Sequence, residues 1–118
     1  MKTHKDLEVW KFAIMLASDV YQLTEKYPKN ELYGITLQMR RAAVSIGANI
    51  AEGAARKSKK EFTHFLYIAL GSASELDTLI EICRSIKLAG DLTLSKLQEN
   101  LIIISKMLNR LINSLYSN

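Results

Sequence analysis

The chain has 118 residues, of which 48% are apolar and 24% are charged, with one proline and one cysteine. A chain of this length buries about 65% of the surface that its unfolded form exposes. Its ordinary charge content argues against disorder, and one proline, one cysteine and five glycines exclude a collagen-like or disulfide-scaffold protein. We therefore expect a single domain, residues 1–118, that folds without disulfides or metal.

The net charge is +4, from 16 Lys and Arg against 12 Asp and Glu, and the excess is local. Residues 38–60 contain six Lys and Arg against Glu52 alone, whereas the rest of the chain contains ten against eleven. A basic patch, rather than a basic protein, is the feature that a partner could recognise. The single cysteine excludes an intrachain disulfide and favours a reducing compartment. No apolar run approaches the roughly 20 residues of a membrane helix, so we predict a cytoplasmic protein without a membrane partner.

The first predicted helix covers residues 5–26. Apolar residues recur there at steps of three and four in two adjacent stripes, which indicates a wide-faced amphipathic helix. Pro28 biases the residue before it away from helical geometry and so ends this helix. The two stripes are Leu7, Trp10, Ile14, Ala17 and Tyr21, and Val9, Ala13, Leu16, Val20 and Leu23.

The second predicted helix covers residues 31–56 and contains Gly34, Gly47 and Gly53. Glycine costs about 1 kcal/mol relative to alanine inside a helix, so these residues indicate a bend or the close approach of a neighbouring backbone. One apolar strip of this helix is expected to face the core: Leu32, Ile35, Met39, Ala42, Ala43, Ile46 and Ile50.

Two further helices follow. Ser58 and Glu61 form a capping-box pattern that starts a helix over residues 59–88, with Gly90 as its expected C-cap. Thr93 is the expected N-cap of the last helix, residues 94–116. In that helix leucine and isoleucine repeat at steps of three and four over three heptads. Four helices and short connections predict an all-α, up-down-up-down antiparallel four-helix bundle.

The second helix carries another apolar strip, well separated from the first. A monomeric bundle would bury only one of them, so the second strip either is a set of exposed helix-forming residues without further meaning or packs on another subunit. Polar residues at register-fixing positions lie beside it. The predicted oligomer interface comprises Leu37, Arg41, Val44, Ala48, Asn49, Ala51, Glu52 and Ala55.

No familiar catalytic or metal-binding pattern is present. His4 and His64 have no partners at metal-ligand spacing, and Cys83 lies on the apolar side of the third helix, where a buried thiol acts as a small hydrophobe. Glycine-rich phosphate loops and nucleophile elbows are missing from the sequence. We predict a protein without enzymatic activity, metal or cofactor. A site formed by Asn49, Glu52 and Arg56 is the one enzymatic alternative, and it would need a pocket lined by these side chains.

The basic residues are the remaining candidates for function. Long flexible cations around the connection between the second and third helices could follow a phosphate backbone without reading bases. Solvation and favourable charge at the end of the second helix are the simpler explanation. The residues of this cluster are Arg56, Lys57, Lys59 and Lys60.

Four segments carry a family resemblance: LEVWK from Leu7, YPKNE from Tyr27, QMRRAAVSIGANIAEGAAR from Gln38, and EFTHFLYIALGSASEL from Glu61. Over residues 5–115 the chain resembles the bacterial four-helix bundle proteins called 23S rRNA intervening-sequence proteins. Many members have proline after the Ser-Ile pair, where this chain has Gly47, so a proline kink is not expected here.

The resemblance implies a ring-like homopentamer, in agreement with the two-sided apolar pattern of the second helix. The family name describes a genetic location and not an activity. A similar group, the accessory variability determinant of diversity-generating retroelements, is pentameric and basic and works with nucleic acid. By that analogy the predicted nucleic-acid contacts are Arg40, Arg41, Arg56, Lys57, Lys59 and Lys60. The hypothesis is therefore a homo-oligomeric scaffold that binds RNA or DNA without base specificity. The alternative is an adaptor that docks a partner enzyme.

Overall fold

Four long α-helices make up most of the protein. The computed structural model describes residues 2–117. Strands do not occur in these residues, which confirms the all-α prediction. The four helices are α1 (Glu8–Thr24), α2 (Leu37–Ala54), α3 (Lys59–Ser85) and α4 (Asp91–Tyr116).

The helices pack as a bundle with overall dimensions of 48 × 22 × 19 Å. Each helix packs on its neighbours in the chain, and α1 also packs on α4. This closed order of neighbours fits the predicted up-down-up-down topology. One face of every helix supplies the core, and a fully buried leucine or isoleucine contributes about 1.5–3 kcal/mol. The largest fully buried aliphatic side chains include Leu16, Ile46, Ile50, Leu66, Leu76, Ile80, Leu94, Ile104 and Leu108.

The first helix is shorter at both ends than the predicted range 5–26. A single 3-10 turn, His4–Asp6, precedes it and is closed by a capping box in which Asp6 accepts from the backbone N–H of Thr3. Leu7 is extended and separates this turn from α1. The helix ends at Thr24, two residues before the predicted end, because proline restricts directly only the residue before it and does not fix the last helical residue.

The second helix begins at Leu37 rather than near residue 31. A 3-10 turn, Lys29–Glu31, and a π-helical turn, Leu32–Thr36, stand in its place. The break is at Gly34, whose φ of −106° and ψ of −113° lie outside the helical region. The predicted bend therefore occurs at the first of the three glycines, and α2 then runs unbroken through Gly47.

Gly53 marks a close approach between α2 and α3. A Cβ atom at this position would lie 2.8 Å from Phe65 Cβ and 2.9 Å from Phe62 Cδ1. At Gly47 the nearest atoms, Ile14 Cδ1 and Ala13 Cβ, would be at 3.5 and 3.6 Å, which is ordinary contact. Only Gly53 is therefore required by the packing of the chain on itself.

Ser58 is the N-cap of α3 as predicted, but the return contact of a capping box, from the Ser58 backbone N–H to the Glu61 carboxylate, is not formed. The predicted caps Gly90 and Thr93 are wrong. Ser58 Oγ accepts from the backbone N–H of Glu61 at 3.1 Å. At its other end α3 stops at Ser85, and Lys87 takes the left-handed conformation with φ of 56°. The N–H of Leu88 donates to the carbonyl of Cys83 at 2.9 Å, which closes the helix end as a Schellman motif does.

Gly90 is the N-cap of α4 and not the C-cap of α3. Asp91 then occupies the first helical position, where a carboxylate interacts favourably with the helix dipole. Its Oδ1 also accepts from Arg84 Nε at 2.6 Å, which ties α4 to the end of α3. Thr93 consequently lies inside the first turn of α4 rather than at its cap.

Candidate nucleic-acid and subunit interfaces

The connection between α2 and α3 concentrates positive charge on the surface. Arg56, Lys57, Lys59 and Lys60 are all exposed there. None of the ion pairs among residues 2–117 involves the three lysines. The capping of α3 by Ser58 fixes where Lys59 and Lys60 start the helix. Cations at this end of a helix are opposed by its dipole, so helix stability does not explain their presence.

Arg56 is held more firmly than its neighbours. Its guanidinium lies 4.9 Å from the centroid of the Phe65 ring, and Nη2 lies 3.6 Å from Glu52 Oε2. Both side chains of this ion pair are about half exposed, so the pair contributes little, about 0.3–0.5 kcal/mol. Arg56 is therefore a positioned charge at the edge of the lysine cluster.

Arg40 and Arg41 are not part of that cluster. Sixteen residues of chain separate Arg40 from Arg56, which corresponds to roughly 24 Å along a helix axis. Arg40 is half-buried at the other end of α2, where Nε donates to Thr24 Oγ1 at 2.9 Å and the guanidinium lies 4.5 Å from the Tyr21 ring centroid. The exposed Arg41 lies beside it in sequence. The structure thus divides the six predicted contacts into two groups.

The second apolar strip of α2 borders an apolar groove. Val44, Ala48 and Ala55 are exposed, and Leu37 and Ala51 are partly buried. The groove, about 260 Å³ in volume, runs along the seam between α1 and α2. It is lined by Trp10, Ala13, Ile14, Ala17, Ala43, Val44, Gly47, Ala48 and Ala51.

Helix α1 supplies the half of this groove that the predicted interface omitted. Trp10, Ile14 and Ala17 belong to the first of its two sequence stripes, and Ile14 remains 46% exposed. The signal was present in the sequence, because α1 had more apolar positions than one buried face requires. Only the packing of the helices showed that the additional apolar residues of α1 lie next to the second apolar strip of α2.

Two of the three polar residues of the predicted interface, Asn49 and Glu52, have partners in their own chain. Asn49 Nδ2 donates to the carbonyl of Ser45 at 2.8 Å and to its Oγ at 2.9 Å. Ser45 Oγ in turn is 2.8 Å from Ser72 Oγ on α3. Asn49 therefore belongs to a hydrogen-bonded link between α2 and α3, while Glu52 pairs with Arg56. This arrangement gives no support to the enzymatic alternative built on these residues.

Cys83 is buried and not activated. Its sulfur accepts from the hydroxyl of Tyr27 at 3.4 Å and lies 3.6 Å from Met39 Sδ. Burial raises the pKa of the Cys83 thiol and of the Tyr27 phenol, so the thiolate that a nucleophile needs is disfavoured. The prediction that Cys83 is a small buried hydrophobe is confirmed.

A known protein family matches the part of the chain that contains the groove and the basic connection. The family described as 23S rRNA-intervening sequence protein matches residues 5–110. The chain belongs to this family. The match includes every helix that forms the groove and the basic connection, and it confirms the sequence resemblance. The relation to the accessory variability determinant stays a prediction.

Among solved structures, this member of the intervening-sequence protein family is similar to a crystal structure from Bacteroides thetaiotaomicron VPI-5482. That structure is described as a protein with unknown function from the S23 ribosomal protein family. The TM-score is 0.83 at 24% sequence identity, over 89% of this chain and 95% of the other. At this identity the likeness shows the shared fold alone. None of the curated proteins compared with this chain matches it.

The described residues contain neither a membrane-spanning helix nor a cluster of metal ligands. Within residues 2–117, no helix combines the length and the apolar character needed to cross a membrane. No group of three or more His, Cys, Asp and Glu side chains in the same residues is arranged to hold a metal ion.

Proposed function

We propose that this protein is a non-enzymatic homo-oligomeric scaffold that binds RNA or DNA through phosphates at the α2–α3 connection. The observation that carries the proposal is the exposed cluster of Lys57, Lys59 and Lys60, which forms no ion pair among the described residues. Unpaired lysines on a short connection can follow a phosphate backbone, but they carry no fixed donor pattern for reading bases. Arg56, held by Phe65, adds a fourth charge at the same place.

Oligomerisation would make this weak site effective. The α1–α2 groove leaves Ile14 and Val44 nearly half exposed, and a contiguous apolar surface of this kind is typical of subunit contacts. The family resemblance implies five copies. Each copy repeats the charge of the basic window, and charges multiplied around a ring raise the local concentration and association rate of a polyanion.

Binding should be measured by fluorescence anisotropy with labelled single- and double-stranded RNA and DNA at two salt concentrations. The test variant is K57Q/K59Q/K60Q, and the matched control, K26Q/K96Q/K106Q, removes three exposed lysines from other surfaces. We expect wild type to lose affinity steeply with salt. The plot of log affinity against log salt has a negative slope. Removing three phosphate contacts should make that slope shallower by about 2–3 for each subunit in contact with the nucleic acid.

The outcomes separate the candidate functions. Unchanged binding by the control and weak binding by the test variant support the phosphate-binding scaffold. Equal losses in both variants would show attraction to net charge rather than to a site. If no nucleic acid binds even at low salt, the proposal fails. A protein complex recovered after nuclease treatment would then favour the adaptor that docks a partner enzyme.

A further inference from the structure

A separate pocket of about 320 Å³ lies where the end of α1 meets the irregular start of α2. It is at the opposite end of α2 from the lysine cluster. Its size is at the lower end of the range of small-molecule sites, about 300–1,000 Å³. The pocket is lined by Thr24, Glu25, Tyr27, Pro28, Lys29, Leu32, Thr36 and Arg40.

Arg40 is held in this pocket as a fixed cation. Its Nε is bound to Thr24 Oγ1 and its guanidinium plane rests on Tyr21, as described above. Thr24 is itself fixed, because Oγ1 donates to the carbonyl of Val20 at 2.7 Å. Neither Nη1 nor Nη2 of Arg40 has a hydrogen-bond acceptor or a carboxylate partner among residues 2–117. A guanidinium positioned in advance loses little entropy when it binds an oxyanion through these two nitrogens.

Thr36 supplies a second, independent feature of the pocket. Its side chain is 2% exposed, and its hydroxyl is the one buried side-chain polar atom without a hydrogen-bond partner in the described part of the chain. Buried hydroxyls are rarely left unpaired, because desolvation without a partner is unfavourable. The π-helical turn Leu32–Thr36 brings this residue to the pocket wall that Arg40 also lines. The hydroxyl has almost no accessible surface in this conformation. A rotation about the Thr36 Cα–Cβ bond would turn it towards an oxygen-rich ligand on that wall, which would then be its acceptor.

The charges around the pocket select the ligand class. Lys29 and Arg40 are the two cations of the lining, and Glu25, which is exposed, is its one carboxylate. A compact dianion with several acceptor oxygens matches a guanidinium, an ammonium and a hydroxyl together. We propose that this pocket binds the phosphate group of a phosphomonoester, through Arg40, Thr36 and Lys29. This site is independent of the nucleic-acid surface proposed above.

The proposal can be tested with inorganic phosphate and ¹⁵N-labelled protein at constant ionic strength. The readouts are the NMR shifts of the Arg40 Nε–H and of the Thr36 amide, with chloride at the same ionic strength as the reference. We expect saturable shifts with phosphate alone. R40Q should abolish them. The matched control R41Q removes the neighbouring exposed charge and should leave them unchanged.

Thr36 variants keep the test decisive if R40Q disturbs folding. T36V removes the hydroxyl with little change in shape and should weaken phosphate binding about 2- to 10-fold, the effect of one hydrogen bond. T36S keeps the hydroxyl and should bind as wild type does. Shifts that grow linearly without saturation, that chloride reproduces, or that T36V leaves at full affinity would overturn the proposal.

The same titration identifies the source of the phosphate. A dinucleotide with a 5′-phosphate is compared with its 5′-hydroxyl form and with ribose 5-phosphate. Tighter binding of the phosphorylated dinucleotide than of the sugar phosphate would support the end of a nucleic-acid strand as the ligand. Equal binding of both would support a small phosphorylated metabolite. Because K57Q/K59Q/K60Q leaves this pocket intact, failure of the lysine surface and failure of the pocket are distinguishable.

Discussion

Gly53 of α2 packs directly against Phe65 of α3. A Cβ atom at position 53 would lie 2.8 Å from Phe65 Cβ. The same stretch of α3 supports the guanidinium of Arg56 on the Phe65 ring. The absence of a side chain at Gly53 therefore lets α3 start near enough to α2 to place the basic cluster on a short connection.

Replacing Gly53 by alanine should destabilise the protein, whereas the same change at Gly47 should not. Overpacking costs about 1–3 kcal/mol, which exceeds the gain of about 1 kcal/mol in helix propensity. At Gly47 the new methyl group meets only ordinary contacts, so G47A should be neutral or more stable by up to about 1 kcal/mol. Urea unfolding of the two variants measures the difference, with their masses checked by light scattering. G53A as stable as G47A would contradict this account.

Substitution of the Ser58 cap should destabilise α3. Ser58 Oγ accepts from the N–H of Glu61, and loss of such a cap costs about 1 kcal/mol. S58A should therefore lower the free energy of unfolding by about 0.5–2 kcal/mol. S74A is the matched control, because Ser74 is an exposed interior position of the same helix. Equal stability of the two variants would show that the hydroxyl of Ser58 does not hold the helix start.

A charge in the α1–α2 groove should dissociate the proposed oligomer. Val44 is 47% exposed at the groove, and a lysine there would be buried by a second subunit without a partner charge. We expect V44K to have a mass near 13.3 kDa by light scattering. L92K changes an equally apolar, exposed residue outside the groove and should keep the mass of wild type. A monomeric wild type would refute the oligomer.

Stability should fall in alkaline solution because of two buried groups. The ordinary pKa values are 9.0 for the Cys83 thiol and 10.0 for the Tyr27 phenol, and burial raises the pKa of each in the folded protein. Above about pH 9 the unfolded chain releases these protons while the folded chain keeps them, so the unfolded state gains stability. We expect the free energy of unfolding to fall between pH 8 and pH 10, with each group contributing at most about 1.4 kcal/mol per pH unit.

Urea unfolding at the two pH values measures this loss. C83A should remove most of the pH dependence, because the thiol has the lower ordinary pKa. Y33F, which changes an 87% exposed tyrosine, is the control for general effects of alkali. A pH dependence that is the same in C83A and wild type would exclude Cys83 as its source.

Much of the fold could be predicted from local sequence patterns. The leucine repeat of α4 identified its buried face, with Leu94, Leu97, Leu101 and Leu108 all in the core. Ser58 and Glu61 located the start of α3 to the residue, because a cap is a contact over three positions. The helix dipole and Pro28 were weaker signals, and the ends of α1 and the start of α2 moved by several residues. Gly34 shows why: a glycine inside a periodic pattern permits a break but does not require one.

The candidate sites depended on distances that no local pattern contains. Apolar surplus on the first two helices, a basic window and an unreactive cysteine were determined by the sequence, since each follows from residue type and spacing along one helix. Only the tertiary structure decided that Arg40 is held by Thr24 and Tyr21 of α1. It also decided that Ile14 and Val44 share one groove, and that Thr36 is buried beside Arg40. The physical reason is that side chains from different helices meet only after the helices pack, and packing is chosen by the whole core.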